Sequence, residues 1–124
     1  MLFNNLYKIV VLTETENKIQ ASIVLHADHA IFKGHFPGQP VLPGVCMLEM
    51  ITEITGSHLK KSFHISEAAL IKFLNMIDPR KNPEITLEII YQEVPGAFQV
   101  HGKIFHDSLV FMKYQLVLLP DKSN

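Results

Sequence analysis

Between Gly34 and Gly44 the chain places three glycines (Gly34, Gly38, Gly44) and three prolines (Pro37, Pro40, Pro43) within eleven residues. Proline locks φ and removes a donor, while glycine admits conformations that other residues avoid, so this stretch is an irregular loop. Directly after it, Val45, Cys46, Met47, Leu48, Met50, Ile51 and Ile54 cover every direction on a 3.6-residue wheel. A helix apolar all round is buried on all sides. In a chain of 124 residues that predicts one of two arrangements. Either a sheet wraps the helix, or a sheet covers one side and a second subunit the other.

The remaining chain supplies strands. Leu6–Thr13 is rich in β-branched residues, 14–17 is a polar turn, and Lys18–His26 alternates Ile19, Ala21, Ile23 and Leu25 with polar neighbours. Ala27–Leu42 is the loop. A helix is expected from Pro43, where a missing N–H costs nothing, to Ser57 or Lys61, with Gly56 a candidate earlier stop. Four strands then follow at Glu67–Ile77, Glu84–Glu93, Gln99–His106 and Ser108–Leu119, the last two joined by a tight hairpin. Strands before and after one helix argue for a single antiparallel α+β domain over 1–124 rather than alternating βαβ units.

Composition narrows the function classes. A net charge of −1 without an arginine-rich stripe gives no case for nucleic acid. Cys46 stands alone, which excludes an intrachain disulfide and fits a reducing compartment. No apolar run reaches the length needed to span a bilayer, and the first residues lack the pattern of a signal peptide. The cytoplasm is the expected location. At 48% hydrophobic residues the chain is slightly oily, as an oligomer interface or an apolar ligand channel would make it.

Two residues suggest proton transfer: His35 within the stiff loop and, fourteen residues on, Glu49 within the oily helix. The other histidines (His26, His29, His58, His64, His101, His106) fit surface or turn positions. His26-Ala-Asp-His29 invites a metal reading, but no further ligand follows at suitable spacing. Cys46 reads as a small buried apolar residue, since no base adjoins it.

The run His35-Phe-Pro-Gly-Gln-Pro-Val-Leu-Pro-Gly-Val45, followed by Glu49, closely resembles the active-site signature of the β-hydroxyacyl-acyl carrier protein dehydratases of fatty acid synthesis. A weaker echo lies at Lys72-Phe-Leu-Asn-Met-Ile-Asp-Pro79. The resemblance implies a hotdog fold, a long central helix wrapped by an antiparallel sheet, and no cofactor or metal. It also implies a homodimer whose site takes the histidine from one subunit and the acid from the other. The partner it implies is an acyl carrier protein bearing a 3-hydroxyacyl chain on phosphopantetheine. Lys60-Lys61 and Arg80-Lys81 are the preferred members of a basic rim for such a carrier.

Dehydrating a 3-hydroxyacyl thioester needs a base for the C2 proton, an acid for the leaving oxygen and polarisation of the carbonyl. His35 suits the first role. Glu49 suits the second if burial keeps it protonated. The N–H of Gly44, in the first helical turn and with no side chain to block approach, suits the third. Phe36, Val41 and Leu42 are candidates for the entrance of an acyl tunnel, with Met47, Met50, Phe73 and Met76 candidates for its lining. One departure bears on the pathway: Glu49-Met-Ile-Thr-Glu53 stands where the housekeeping enzymes typically have alanine after the glutamate and glutamine four residues beyond it. A dedicated dehydratase of polyene or polyketide-like assembly therefore fits at least as well as a housekeeping enzyme. The alternatives are a hotdog thioesterase and a non-catalytic subunit that binds acyl carrier protein.

Overall fold

A computed structural model describes residues 5–33 and 40–122. Its elements are strands β1 (Tyr7–Thr15) and β2 (Lys18–Leu25), a short 3₁₀ turn (Ala30–Phe32) and helix α1 (Gly44–Leu59). Strands β3 (Phe63–Phe73), β4 (Glu84–Val94), β5 (Ala97–His106) and β6 (Leu109–Pro120) complete it. The strands form one antiparallel sheet in the order β1-β2-β4-β5-β6-β3, with α1 packed against it. This is the architecture the resemblance implies.

Turn chemistry explains the hairpins. Glu16 and Asn17, both at positive φ, join β1 to β2 with Thr15 opposite Lys18. Left-handed residues at both centres match the twist of the flanking strands. Pro95-Gly96 joins β4 to β5. Proline presets the first corner and Gly96, at φ +76°, takes the conformation that other residues resist.

Alternation sets the core. Ile19, Ala21, Ile23 and Leu25 of β2 and Ile85, Leu87 and Ile89 of β4 all point to the helix-bearing face. Met47, Met50, Ile51 and Ile54 of α1 meet them there. Fully burying one such side chain contributes roughly 1.5–3 kcal/mol.

The sheet covers one flank of the helix, and in the single chain Val45 is 64% exposed. Two expectations need correction. Gly56 does not end the helix; it lies within the last turn, and Lys60 caps it in the left-handed conformation. Residue 56 has no side chain because the returning chain crosses it: a Cβ there would sit 2.5 Å from the carbonyl oxygen of Lys61. The third strand runs Phe63–Phe73, four residues earlier at each end than its pattern suggested. Bulges beside Glu67 and near Ala68–Leu70 break its period of two, so alternation could not locate it.

Candidate active site

Two hollows flank α1. The apolar one, of about 560 Å³, lies at the helix N-terminus between Val41, Leu42, Gly44, Met47, Phe73 and Met76. Six of the sequence-selected residues (Val41, Leu42, Gly44, Met47, Phe73 and Met76) thus share one groove. Its shape comes from chain crossings. Leu42 N–H donates to the Ile77 carbonyl at 2.8 Å, tying the entry to α1 against the segment that leaves β3. Buried Ile77 anchors that segment in the core.

Pro43 is the N-cap of α1, and no side chain among the described residues caps that end. The first-turn amides of Gly44 and Val45 therefore point out of the helix without a carbonyl from the preceding turn. Gly44 lies beneath the ring of Phe73, where an added Cβ would stand 2.6 Å from its Cζ. Met50, by contrast, is 1% exposed and belongs to the core rather than to the groove. His35 and Phe36 lie outside the described residues.

Glu49 opens on the other hollow, of about 440 Å³, with Thr52, Glu53, Lys60, Lys61 and Phe63. It is half-buried there, not enclosed in oil. Glu53, one turn further on, accepts a hydrogen bond from the Tyr7 hydroxyl at 2.9 Å through Oε1, while its Oε2 is buried without a partner among the described residues. Burial pushes the Glu53 carboxyl upward, the charge of Glu49 adds to the rise, and the Tyr7 hydrogen bond opposes both. The Tyr7 phenol is pushed above its ordinary range by burial and by the hydrogen bond and charge of Glu53. It is therefore a permanent donor.

Glu53 stood out in the sequence only as a departure from the family's usual glutamine, and Tyr7, a tyrosine opening a strand, carried no functional weight there. Their 46-residue separation hides the pair. Its one sequence signal was the carboxylate at the i+4 position from Glu49.

Other candidates have local explanations. His29 Nδ1 accepts from the Ile31 amide at 3.0 Å and caps the 3₁₀ turn, and His26 Nδ1 meets the Asn5 carbonyl at 2.6 Å. Burial, followed by the charge of Glu49, pushes the Cys46 thiol up to about 11, so it is no thiolate nucleophile at neutral pH. Arg80 pairs with Asp78 at 3.2 Å, and Lys61 lies over the Phe98 ring, 5.5 Å from its centroid. No helix among the described residues is long and apolar enough to cross a membrane.

The helix-on-sheet architecture is the hotdog fold, shared with a subunit of the dehydratase heterocomplex ApeI:P from Xenorhabdus doucetiae. The TM-score is 0.74 at 19% identity, covering 90% of this chain and 96% of that one. It is shared also with the putative thioesterase yhdA from Lactococcus lactis, at TM-score 0.67 and 11% identity over 97% and 95% of the two chains. Residues 11–108 match the family model described as ApeI-like, ApeI dehydratase, and the chain belongs to that dehydratase family. Among curated proteins it is 30% identical to the 3-hydroxyacyl-[acyl-carrier-protein] dehydratase FabZ of Thermotoga petrophila, over 87% of this chain and 81% of that protein. The FabZ of Mannheimia succiniciproducens is 43% identical over 59% of this chain and 57% of its own length.

Proposed function

We propose that the protein dehydrates 3-hydroxyacyl chains held as thioesters on an acyl carrier protein, giving trans-2-enoyl thioesters in fatty acid or polyene and polyketide-like biosynthesis. Family membership carries this reading. The uncapped helix end at Gly44, with an apolar groove beside it and Glu49 further along the same helix, supports it.

The thioester carbonyl lies against the Gly44 amide, where the helix dipole favours the negative charge that develops on oxygen. His35 takes the C2 proton, a role resting on its motif. The electron pair of that C–H bond forms the C2–C3 double bond, and the C3–O bond breaks. Glu49 gives its proton to the departing hydroxide, which leaves as water. Imidazolium and carboxylate remain, and a net proton return from His35 to Glu49 resets the site. The acyl chain occupies the groove of Val41, Leu42 and Phe73.

The working unit is a dimer, with His35 of one chain facing Glu49 of the other. Edge strand β3 supports this: among the described residues no strand pairs with its outer edge, and exposed Leu70 and Phe73 on the strand are followed by exposed Leu74 and Met76 beyond it. Exposed edges and apolar patches of this kind are normally covered. A second copy laid there would also cover the open flank of the helix around Val45.

The test is incubation with 3-hydroxyacyl-carrier thioesters of several lengths, followed by mass spectrometry. Loss of one water with the carrier retained is the expected result. Loss of the whole carrier means hydrolysis, and an unchanged substrate means a binding subunit.

A further inference from the structure

Glu53 Oε2 is the sole buried side-chain oxygen or nitrogen without a partner among the described residues. Such an atom is costly unless something satisfies it. The hydroxyls of Thr52, Thr55 and Tyr7 do not. Thr52 donates to the Leu48 carbonyl at 2.9 Å and Thr55 to the Ile51 carbonyl at 2.7 Å, so both hydrogens are committed to the helix. Tyr7 has one hydrogen, and it goes to Oε1. A carboxylate here would leave an anionic oxygen buried with no donor among the described residues. A carboxylic acid turns the same oxygen into a donor seeking an acceptor.

Helix geometry supplies the acceptor. Cα–Cβ bonds tilt toward the N-terminus, so a side chain at i+4 leans back over residue i. Glu53 therefore leans toward Glu49, with which it lines one hollow and whose charge it feels. The other titratable groups lining that hollow are Lys60 and Lys61, beyond the end of α1, while Tyr7 reaches Glu53 from β1.

We propose that Glu53 is a positioning residue for dehydration: a carboxylic acid held by the Tyr7 phenol, it donates its Oε2 hydrogen to the carboxyl group of Glu49. The inference rests on the dehydratase reading. When Glu49 gives its proton to the leaving hydroxide, it becomes a carboxylate, and the donor from Glu53 stabilises that new charge. The bond thus strengthens in the transition state, as a catalytic interaction must. The proton of Glu53 itself is never transferred. Burial favours its retention by raising the Glu53 carboxyl, and deprotonation at higher pH would replace the donor with a second negative charge.

Two variants and one titration test this. Glu53→Leu should lower kcat on the order of 10²-fold with little change in KM, the scale of losing one donor to a developing charge. Glu53→Gln keeps an N–H donor and an acceptor for Tyr7, so it should recover most of that loss and remain within about 5-fold of the parent. Its pH–rate profile should lack the alkaline decline that the parent owes to Glu53. Independently of catalysis, the Glu53 carboxyl carbon, assigned by ¹³C NMR through its absence in Glu53→Gln, should titrate above the ordinary glutamate value of about 4.3.

A folded Glu53→Leu protein with parental kcat overturns the proposal. So does a Glu53→Gln protein with an unchanged alkaline limb, or a Glu53 carboxyl titrating at the ordinary value. If Glu53→Leu fails to fold, the Glu53→Gln profile and the titration decide. A parent that shows the raised titration but dehydrates no 3-hydroxyacyl thioester sinks the functional reading and the catalytic use of Glu53, and leaves the hydrogen-bonded pair standing.

Discussion

The ring of Phe73 covers Gly44 so closely that a methyl group on that glycine would stand 2.6 Å from the ring's Cζ. The end of the third strand thus closes over the first residue of the helix. Phe73 is 54% exposed, so its ring has room to swing aside. Gly44→Ala should therefore change stability by no more than about 1 kcal/mol, the ring's displacement being offset by alanine's better helix propensity. Activity should fall on the order of 10²-fold, because the methyl group and the shifted ring crowd the amide that polarises the thioester. Thermal melts and kcat/KM on one 3-hydroxyacyl thioester check both halves; unchanged kcat/KM would remove Gly44 from the site.

His35→Ala and Glu49→Gln should each lose at least about 10²-fold in rate, the usual scale of general acid–base catalysis. Mixed and refolded together, the two inactive proteins should regain about a quarter of parental activity if sites are shared across a two-fold dimer. Half the dimers are then mixed, and each mixed dimer has one intact site of two. Verified heterodimers that stay inactive would place both residues in one chain's site.

Leu70→Lys places a charge on the exposed apolar surface of edge strand β3. Lysine is one of the devices by which natural sheets block edge-to-edge pairing. Sedimentation velocity should show dimers of the parent and monomers of the variant at micromolar concentration. Activity should fall with the dimer.

The Tyr7–Glu53 pair predicts a pH dependence of stability. Burial raises the Glu53 carboxyl in the folded protein, so the folded state holds this proton more tightly than the unfolded chain does. That contribution is fully present below the unfolded value and is lost as pH rises through the folded one. Urea melts of the parent and of Glu53→Gln should therefore diverge in favour of the variant as pH rises from 4 toward 8. Tyr7→Phe removes the hydrogen bond that opposes the rise, so the Glu53 titration should move further up. A downward move would show that the phenol does not stabilise the carboxylate.

Gly56→Ala should cost roughly 1–3 kcal/mol, the usual range for overpacking. The obstacle is the Lys61 carbonyl, which is backbone and cannot rotate away. Chemical denaturation of the variant measures this directly.

Much of the fold was legible in the chain because its signals are local. The alternation in β2, the all-round apolar run of α1 and the Pro95-Gly96 corner each report a backbone choice made by near neighbours. The motif from His35 to Glu49 was equally plain, since glycine, proline, histidine and glutamate at set spacing leave few alternatives. Tertiary structure decided whatever depended on residues far apart in sequence. Gly56 looked like a helix stop and is a crossing point, because the carbonyl of Lys61 passes over it. Met50 and Phe73 are both large and apolar, yet the sheet buries one in the core and leaves the other over the helix entrance. Glu53 read only as a departure from the family's usual glutamine, whereas in the fold Tyr7, at the start of β1, comes within 2.9 Å of it. Periodicity and turn chemistry report the backbone of a segment, whereas burial and hydrogen bonding belong to whichever segments the sheet brings against it.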